Sequence, residues 1–333
     1  MNRAPIAISV FDRPQHFRNC IESLKKNAGA EDTVLYISSD GPRDDRSNEL
    51  VTQVREYIKT ISGFKKVVVF APKENTKKQV WFETRQRVSD DNSRFIFTED
   101  DNVFSRFFLD YMNDGLTIFE NEPRVAAVCG YNYPNFPFQK PEAIPLRCFA
   151  AWGYGTWRDK DLLSRVDMQT VSANVFSDRR LFAKINSGLP HMAPMLKKAM
   201  EGRLVAGDVT QCALIYQRNL VCIFPSKSLV RNTGFDGSGE HCGITDKYAY
   251  QEVLEAKVSF DEARSLEPIV EHDRWLRTFF GGYPGIINSW LIYWEVNAKG
   301  AIAGALIGYF RQCLALSIRA SRFVYRYLKG ATS

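Results

Sequence analysis

No CxxC pair occurs in the chain, and its seven cysteines, an odd number, are scattered from Cys20 to Cys313. That pattern argues against a structural zinc site or a disulfide scaffold and fits reduced thiols in a cytoplasmic compartment. Long apolar runs are missing too. Ala301–Phe310 is too short to span a bilayer, and Arg311-Gln312 interrupts it before Cys313–Ile318. The N-terminus, Met1-Asn2-Arg3-Ala4-Pro5, has neither the apolar length nor the cleavage pattern of a secretory leader. Internal repeats and low-complexity tracts are absent.

What remains is an ordinary globular balance. Of 333 residues, 45% are hydrophobic, 13% aromatic and 25% charged, which rules out a wholly disordered or collagen-like chain. The length suits one large or two closely joined domains. Net charge is +6, and its distribution is uneven: residues 281–333 hold six basic side chains against Glu295, or +5, leaving +1 for the rest. A nucleic-acid binder would spread or cluster its charge differently, so no nucleic-acid partner is expected.

The first 130 residues alternate between two textures. Short β-branched runs lie at Ile6–Phe11, Thr33–Ile37, Lys66–Phe70, Arg94–Phe97 and Arg124–Cys129. Helical spacing falls between them, at roughly Gln15–Asn27, Asn48–Thr60, Val80–Val88 and Ser105–Glu120. This alternation reads as an α/β domain with a mainly parallel sheet, its strands buried on both faces. From Gly130 to about Phe280 the chain is less regular, with a helix expected from Asp208 and a strand over Leu220–Phe224. In the tail, Arg311, Arg319, Arg322, Arg326 and Lys329 fall within roughly 80° of one another on a helix. Most large apolar residues lie elsewhere on that circle, the pattern of a basic amphipathic, interfacial helix.

The strand Arg94–Phe97 runs into Glu99-Asp100-Asp101. Ligands of parallel α/β sheets bind beyond the carboxyl ends of strands. Three adjacent acids repel unless a positive charge sits among them, and a hard divalent cation that also holds a diphosphate would supply it. The same residues also read as a solvated acidic turn before a helix. The first strand ends Asp12-Arg13-Pro14; Arg13 offers a fork of donors to a nucleotide, while Asp12 equally reads as a helix cap. Asp40, in Ser38-Ser39-Asp40-Gly41-Pro42, can accept from a base N–H or simply make a turn. Trp152-Gly153-Tyr154-Gly155-Thr156-Trp157 suits a sugar site, since aromatic faces cover sugar rings and glycine admits a ligand to the backbone; a core cluster with turns is the alternative. Asn232–Gly243 holds four glycines. It reads as a loop that orders over a donor or as a mobile surface loop, with His241 able to touch phosphate. Lys73, Lys77 and Lys78 can help neutralise a diphosphate or sit in a solvated loop. His16 is expected on a helix surface.

Taken in order, these segments resemble the GT-A glycosyltransferases, and within them the N-acetylglucosaminyltransferase I-like group with its Glu-Asp-Asp metal motif. Ala4–Pro14, Ser38-Ser39-Asp40 and Glu99-Asp100-Asp101 carry the resemblance. Cys148–Gly155 is similar to that group's aromatic and glycine segment, Gly207-Asp208-Val209 to its catalytic Asp before a helix, and Asn232–Gly243 to its donor-covering loop. The resemblance spans about Arg3 to Ile244. It implies that Arg13 contacts the nucleotide, Asp40 the uracil, Asp100 the ribose region and Glu99 the transferred sugar. Asp101 would ligate Mn²⁺ (or Mg²⁺) on the diphosphate, and Asp208 would be the general base. The group's Asp-Asp pair before Trp is here Asp208 followed by Val209. Asp208 also reads as an N-cap, with Gln211 three residues on.

The expected fold is thus GT-A-like: a Rossmann-like, mainly parallel sheet flanked by helices, with a C-terminal helical tail. Residues 1–130 would bind the nucleotide sugar, 131–280 the acceptor with the catalytic base, and 281–333 would form the basic tail. The expected activity is metal-dependent, inverting transfer from a UDP-sugar, UDP-GlcNAc being a candidate, to a glycan or lipid-linked acceptor in surface-polysaccharide synthesis. The expected setting is cytoplasmic and peripheral, with 285–330 on an anionic membrane face or, alternatively, in a homo-oligomer interface. Competing readings are a retaining GT-A transferase, a nucleotidyltransferase, and a non-catalytic membrane- or carbohydrate-binding protein.

Overall fold

The computed structural model describes residues 3–138, 140–161, 166–205, 207–239, 244–245, 248, 251–268, 270–300 and 302–313. The chain divides into two compact units. One comprises Met1–Arg165 with Asn219–His272, the other Val166–Arg218 with Asp273–Ser333.

In the first unit the β-branched runs form strands as expected: β1 (Ile6–Val10), β2 (Val34–Ser39), β3 (Lys66–Phe70) and β4 (Arg94–Glu99). A short β5 (Asn102–Phe104) precedes β6 (Val125–Cys129). Further on come β7 (Ala143–Leu146), β8 (Tyr154–Trp157), β9 (Val221–Pro225) and β10 (Val230–Asn232). Among the described residues, eight strands make one sheet in the order β3-β2-β1-β4-β8-β6-β9-β7, and β5 pairs with β10 in a separate two-stranded ribbon. The strands β1 to β4 are mutually parallel and β6 is parallel to β9, while β8 and β7 run antiparallel to their neighbours. The mainly parallel α/β sheet flanked by helices is therefore present. Burial on both faces holds for β1, β6 and most of β4 but not for β3. As an edge strand, β3 leaves Lys66 and Val69 exposed.

Four helices connect these strands: α1 (Pro14–Leu24), α2 (Asp45–Thr60), α3 (Gln79–Asp91) and α4 (Phe108–Ile118). Pro14 opens α1, where its fixed φ is already helical and its missing N–H costs nothing. Phe17, Ile21 and Leu24 then fall on one fully buried face, each worth about 2 kcal/mol of apolar burial. α2 starts earlier than its apolar spacing indicates, because Asp44 accepts from Ser47 N and the Ser47 hydroxyl accepts from Asp44 N.

The second unit is helical where the sequence looked irregular. It contains α5 (Met168–Ser177), α6 (Arg179–Gly188), α7 (Met192–Met200) and α8 (Gly207–Gln217). Asp167 and Asp178 cap the first two of these through backbone N–H groups. The chain crosses into this unit within α9 (Val270–Phe279) and continues through α10 (Gly282–Val296) and a helix over 302–313. α10 packs inward through Ser289 and Ile292. Glu295 pairs with Lys197 at 2.6 Å and with Arg311 at 3.1 Å. Arg311 therefore does not join an outward basic stripe; it neutralises an acid of the preceding helix. The other expected stripe members, Arg319, Arg322, Arg326 and Lys329, lie outside the described residues. Among the described residues no helix is long and apolar enough to cross a membrane.

Candidate active site

β1 and β4 are neighbours, with Ser9 opposite Glu99, and the strand order reverses between them. Such a switch point opens a crevice at the carboxyl ends of the strands. Arg13 leaves the end of β1, and the three acids leave the end of β4. The fold thereby joins residues that are 87 and 88 positions apart.

Arg13 lies between two carboxylates. Its Nε donates to Asp100 Oδ2 at 3.2 Å, its Nη2 to Asp100 Oδ1, and its Nη1 to Asp101 Oδ2 at 2.9 Å. The carboxylates are nearly sealed from water, with side chains 4% and 6% exposed. Burial works against the Arg13 charge, yet Asp100 and Asp101 outweigh it and its pKa moves up. For Asp100, burial and the neighbouring Asp101 prevail over Arg13, pushing its carboxyl up to about 6. Two anions thus share one cation, and the cluster stays short of positive charge. Glu99, at the last position of β4, is exposed. Beneath them Cys20 is fully buried, and that burial raises its pKa well above the ordinary thiol value, so it serves as packing and not as a nucleophile.

The glycine-rich segment closes on this turn. β10 pairs antiparallel with β5, setting Asn232 opposite Asn102. Asn232 Nδ2 donates to Asp101 Oδ1 at 2.8 Å, and Thr233 N and Oγ1 both donate to Asp101 O. A Cβ on Gly234 would collide with Asp101 Oδ2, so only glycine fits. His16, expected on a helix surface, instead sets Nε2 at 3.2 Å from Asp236 Oδ2 and 3.3 Å from Thr233 O. No local pattern marks His16 or Asn232; their partners lie far away in the chain. Of this segment, His241 lies outside the described residues.

Beside the loop stands an aromatic wall. Trp152 meets Tyr131, Phe235 and Tyr248 edge-on, with ring centroids 4.5, 5.6 and 5.7 Å away. Gly153 has φ +72° and packs against Phe104 and Phe108. The rest of that motif is core: Tyr154 and Trp157 are buried in β8, with Trp157 Nε1 donating to Leu116 O. Trp152 alone of the three aromatic residues is half-buried. The Tyr131 hydroxyl, missed from sequence, is buried beside this wall without a hydrogen-bond partner among the described residues.

Asp40 is a hub. Its Oδ1 accepts from Gly41 N, Thr76 N and Thr76 Oγ1, and its Oδ2 from Lys78 N. Burial raises its pKa, but these donors outweigh burial and hold it below the ordinary carboxylate value. Lys77 and Lys78 are both left-handed, at φ +52° and +74°, a backbone state that side-chain-bearing residues rarely adopt. They line a cleft of about 560 Å³ with Pro42, Arg43 and Asn75. Asp208 belongs to the second unit. It lies inside the first turn of α8 and is exposed, its Oδ1 accepting from Val209 N at 2.9 Å. The expected N-cap position is therefore not where it sits; the helix already includes Gly207.

Asp101 and Asp100 fit a hard divalent cation in donor chemistry and in charge. They are buried oxygen donors that one guanidinium leaves under-neutralised, and Mg²⁺-type ions bind through one or two carboxylates plus substrate phosphates. A cluster of three or more His, Cys, Asp or Glu side chains is absent among the described residues.

No family model and no curated protein matches the chain. Solved structures with a partly similar chain path include a mannosyltransferase from Pyrobaculum calidifontis in complex with GDP-Man and Mn²⁺. It is 11% identical, with 99% of this chain and 86% of that one covered, at a TM-score of 0.37. Another is S. aureus TarS 1–349, 11% identical over 88% and 79%, TM-score 0.40. A third is GalNAc-T7 with UDP, GalNAc and Mn²⁺, 11% identical over 68% and 43%, TM-score 0.40. Similarity of that order transfers neither residue roles nor ligands to this chain.

Proposed function

We propose that the chain is a GT-A glycosyltransferase that moves a sugar, with inversion, from a UDP-sugar such as UDP-GlcNAc to a glycan or lipid-linked acceptor of surface-polysaccharide synthesis. One observation carries the reading: at the switch point between β1 and β4, Arg13 lies between buried Asp100 and Asp101 and leaves them short of positive charge. That is an electrostatic seat for a cation and a diphosphate. Asp101 would hold Mn²⁺ or Mg²⁺, which when bound stabilises charge on the departing diphosphate.

The chain's own groups supply the rest. Arg13 gives the nucleotide the two N–H groups it does not spend on Asp100 and Asp101, and Arg43, Lys77 and Lys78 add positive charge around the cleft beside Asp40. Asp40 Oδ2 accepts from the base, Asp100 binds the ribose region and Glu99 the transferred sugar. Trp152 covers a sugar face beside Gly153, and the loop from Asn232, with His241, keeps water from the activated donor. The acceptor hydroxyl attacks the anomeric carbon as the bond from that carbon to the diphosphate oxygen breaks. Its proton passes to a carboxylate base, the role the resemblance implies for Asp208, and the electron pair leaves on the diphosphate. Residues 1–130 would serve the donor and 131–280 the acceptor.

A nucleotide-sugar panel with and without Mn²⁺, read by thermal shift and slow donor hydrolysis, tests the reading. Asp101→Ala should lower transfer at least ~100-fold, more than it weakens nucleotide binding. Unchanged turnover in that variant would sink the assignment.

A further inference from the structure

The single acid of residues 282–313, Glu295, is spent on the inner side of its helix, between Lys197 and Arg311. Gly304 and Gly308 bring the helix over 302–313 close to it; a Cβ on Gly308 would lie 3.3 Å from Glu295 Oε1. The opposite faces are of another kind. Tyr283, Ile287 and Trp294 on α10, and Ile302, Leu306, Tyr309 and Phe310 on the following helix, are all at least half exposed, from 50% at Trp294 to 79% at Ile302. Neither outward face carries a charge, because Glu295 and Arg311 are the only charged residues of these two helices and they pair with each other. Folded water-soluble surfaces seldom leave so many large apolar side chains together, and tyrosine and tryptophan beside aliphatic residues are the composition of a bilayer interface.

Charge selects the occupant. Residues 281–333 carry +5, and Arg319, Arg322, Arg326 and Lys329 follow the second helix directly. A second copy of the chain would bring these like charges together. An anionic leaflet attracts each of them. We propose that the outward faces of α10 and 302–313 dock in the headgroup–acyl boundary of an anionic membrane. Tyr283, Ile287, Trp294, Leu306, Tyr309 and Phe310 insert shallowly, and the net positive charge of residues 281–333 favours anionic headgroups. This names the membrane surface that the lipid-linked-acceptor reading requires and rests on that reading for its purpose.

The test uses the full chain and flotation with vesicles of phosphatidylcholine, with or without phosphatidylglycerol. Wild type should float only with the anionic vesicles. The double variant Leu306→Glu/Phe310→Glu should lose roughly tenfold or more in vesicle affinity, with its unfolding midpoint retained because both sites are exposed. Phe82→Glu, an exposed apolar site on α3 in the other unit, should float like wild type. Trp294→Phe should remove most of the vesicle-induced blue shift in tryptophan emission. Equal flotation of the double variant, or failure of wild type to bind anionic vesicles, overturns the proposal. So does self-association that the double variant abolishes without any vesicle binding, which assigns the face to a second copy. UDP-sugar binding is measured separately: vesicle docking without nucleotide binding leaves the face standing and removes the enzymatic reading.

Discussion

At the scale of single residues, Arg13 decides whether the acidic turn can exist. Its guanidinium is the counter-charge to two carboxylates that water hardly reaches. Removing one member of such a buried set leaves an uncompensated charge, so Arg13→Ala should cost about 3 kcal/mol in urea unfolding. Arg13→Lys should recover only part, because a compact ammonium cannot bridge both acids with a planar fork. Asp40 plays the same part for hydrogen bonds. Asp40→Ala strands three backbone N–H groups and the Thr76 hydroxyl. A loss of about 2–4 kcal/mol is expected from unsatisfied donors. A midpoint within error of wild type would show that Asp40 does not fasten this loop.

At the scale of elements, the ribbon of β5 and β10 matters more than its length suggests. It carries Asn232, Thr233 and Gly234 onto Asp101, a pairing across 131 residues. Gly234→Ala should push the loop off the acidic turn, since its Cβ would meet Asp101 and crowd Arg13. The expected result is a lower melting temperature, from overpacking of about 1–3 kcal/mol, together with weaker nucleotide-sugar binding. Normal donor affinity in a folded variant would separate loop closure from donor binding. α10 carries a lesson for experiment. Because Ser289, Ile292 and Glu295 pack into the second unit, deleting the tail from residue 285 would damage that unit, and surface substitutions are the cleaner probe.

At the scale of the whole molecule, acid stability has an identifiable contributor. His272 is 3% exposed, beside Phe136 and Phe138, and its Nδ1 has no hydrogen-bond partner among the described residues. Burial pushes its pKa below the ordinary value of 6.5, and Glu271 and Glu262 only partly oppose this. The unfolded chain therefore takes up the proton first as pH falls. The stability that His272 contributes is complete above about 6.5 and is lost as pH drops from there through the lower folded value. His272→Phe should flatten that part of the curve of melting temperature against pH, while the carboxylates still act at lower pH. An unchanged slope in the variant would assign the dependence to other groups.

By itself the sequence determined the local pieces: the β-branched runs β1 to β4 and β6, the four helices between them, and an acidic turn at the end of β4. Backbone periodicity and turn chemistry act over a few residues, so they are written in neighbouring side chains. The short helices α5 and α6 were not read from the sequence, although Asp167 and Asp178 cap them and Leu181, Phe182 and Ile185 give α6 an apolar face. Only tertiary structure decided that β1 lies beside β4, that β8 enters the sheet antiparallel, and that His16 and Asn232 serve the acidic turn. It also divided the Trp152–Trp157 segment into a half-buried Trp152 and a buried Trp157. These outcomes depend on packing and pairing between segments about a hundred residues apart, where chain entropy is repaid collectively and no single stretch holds the instruction.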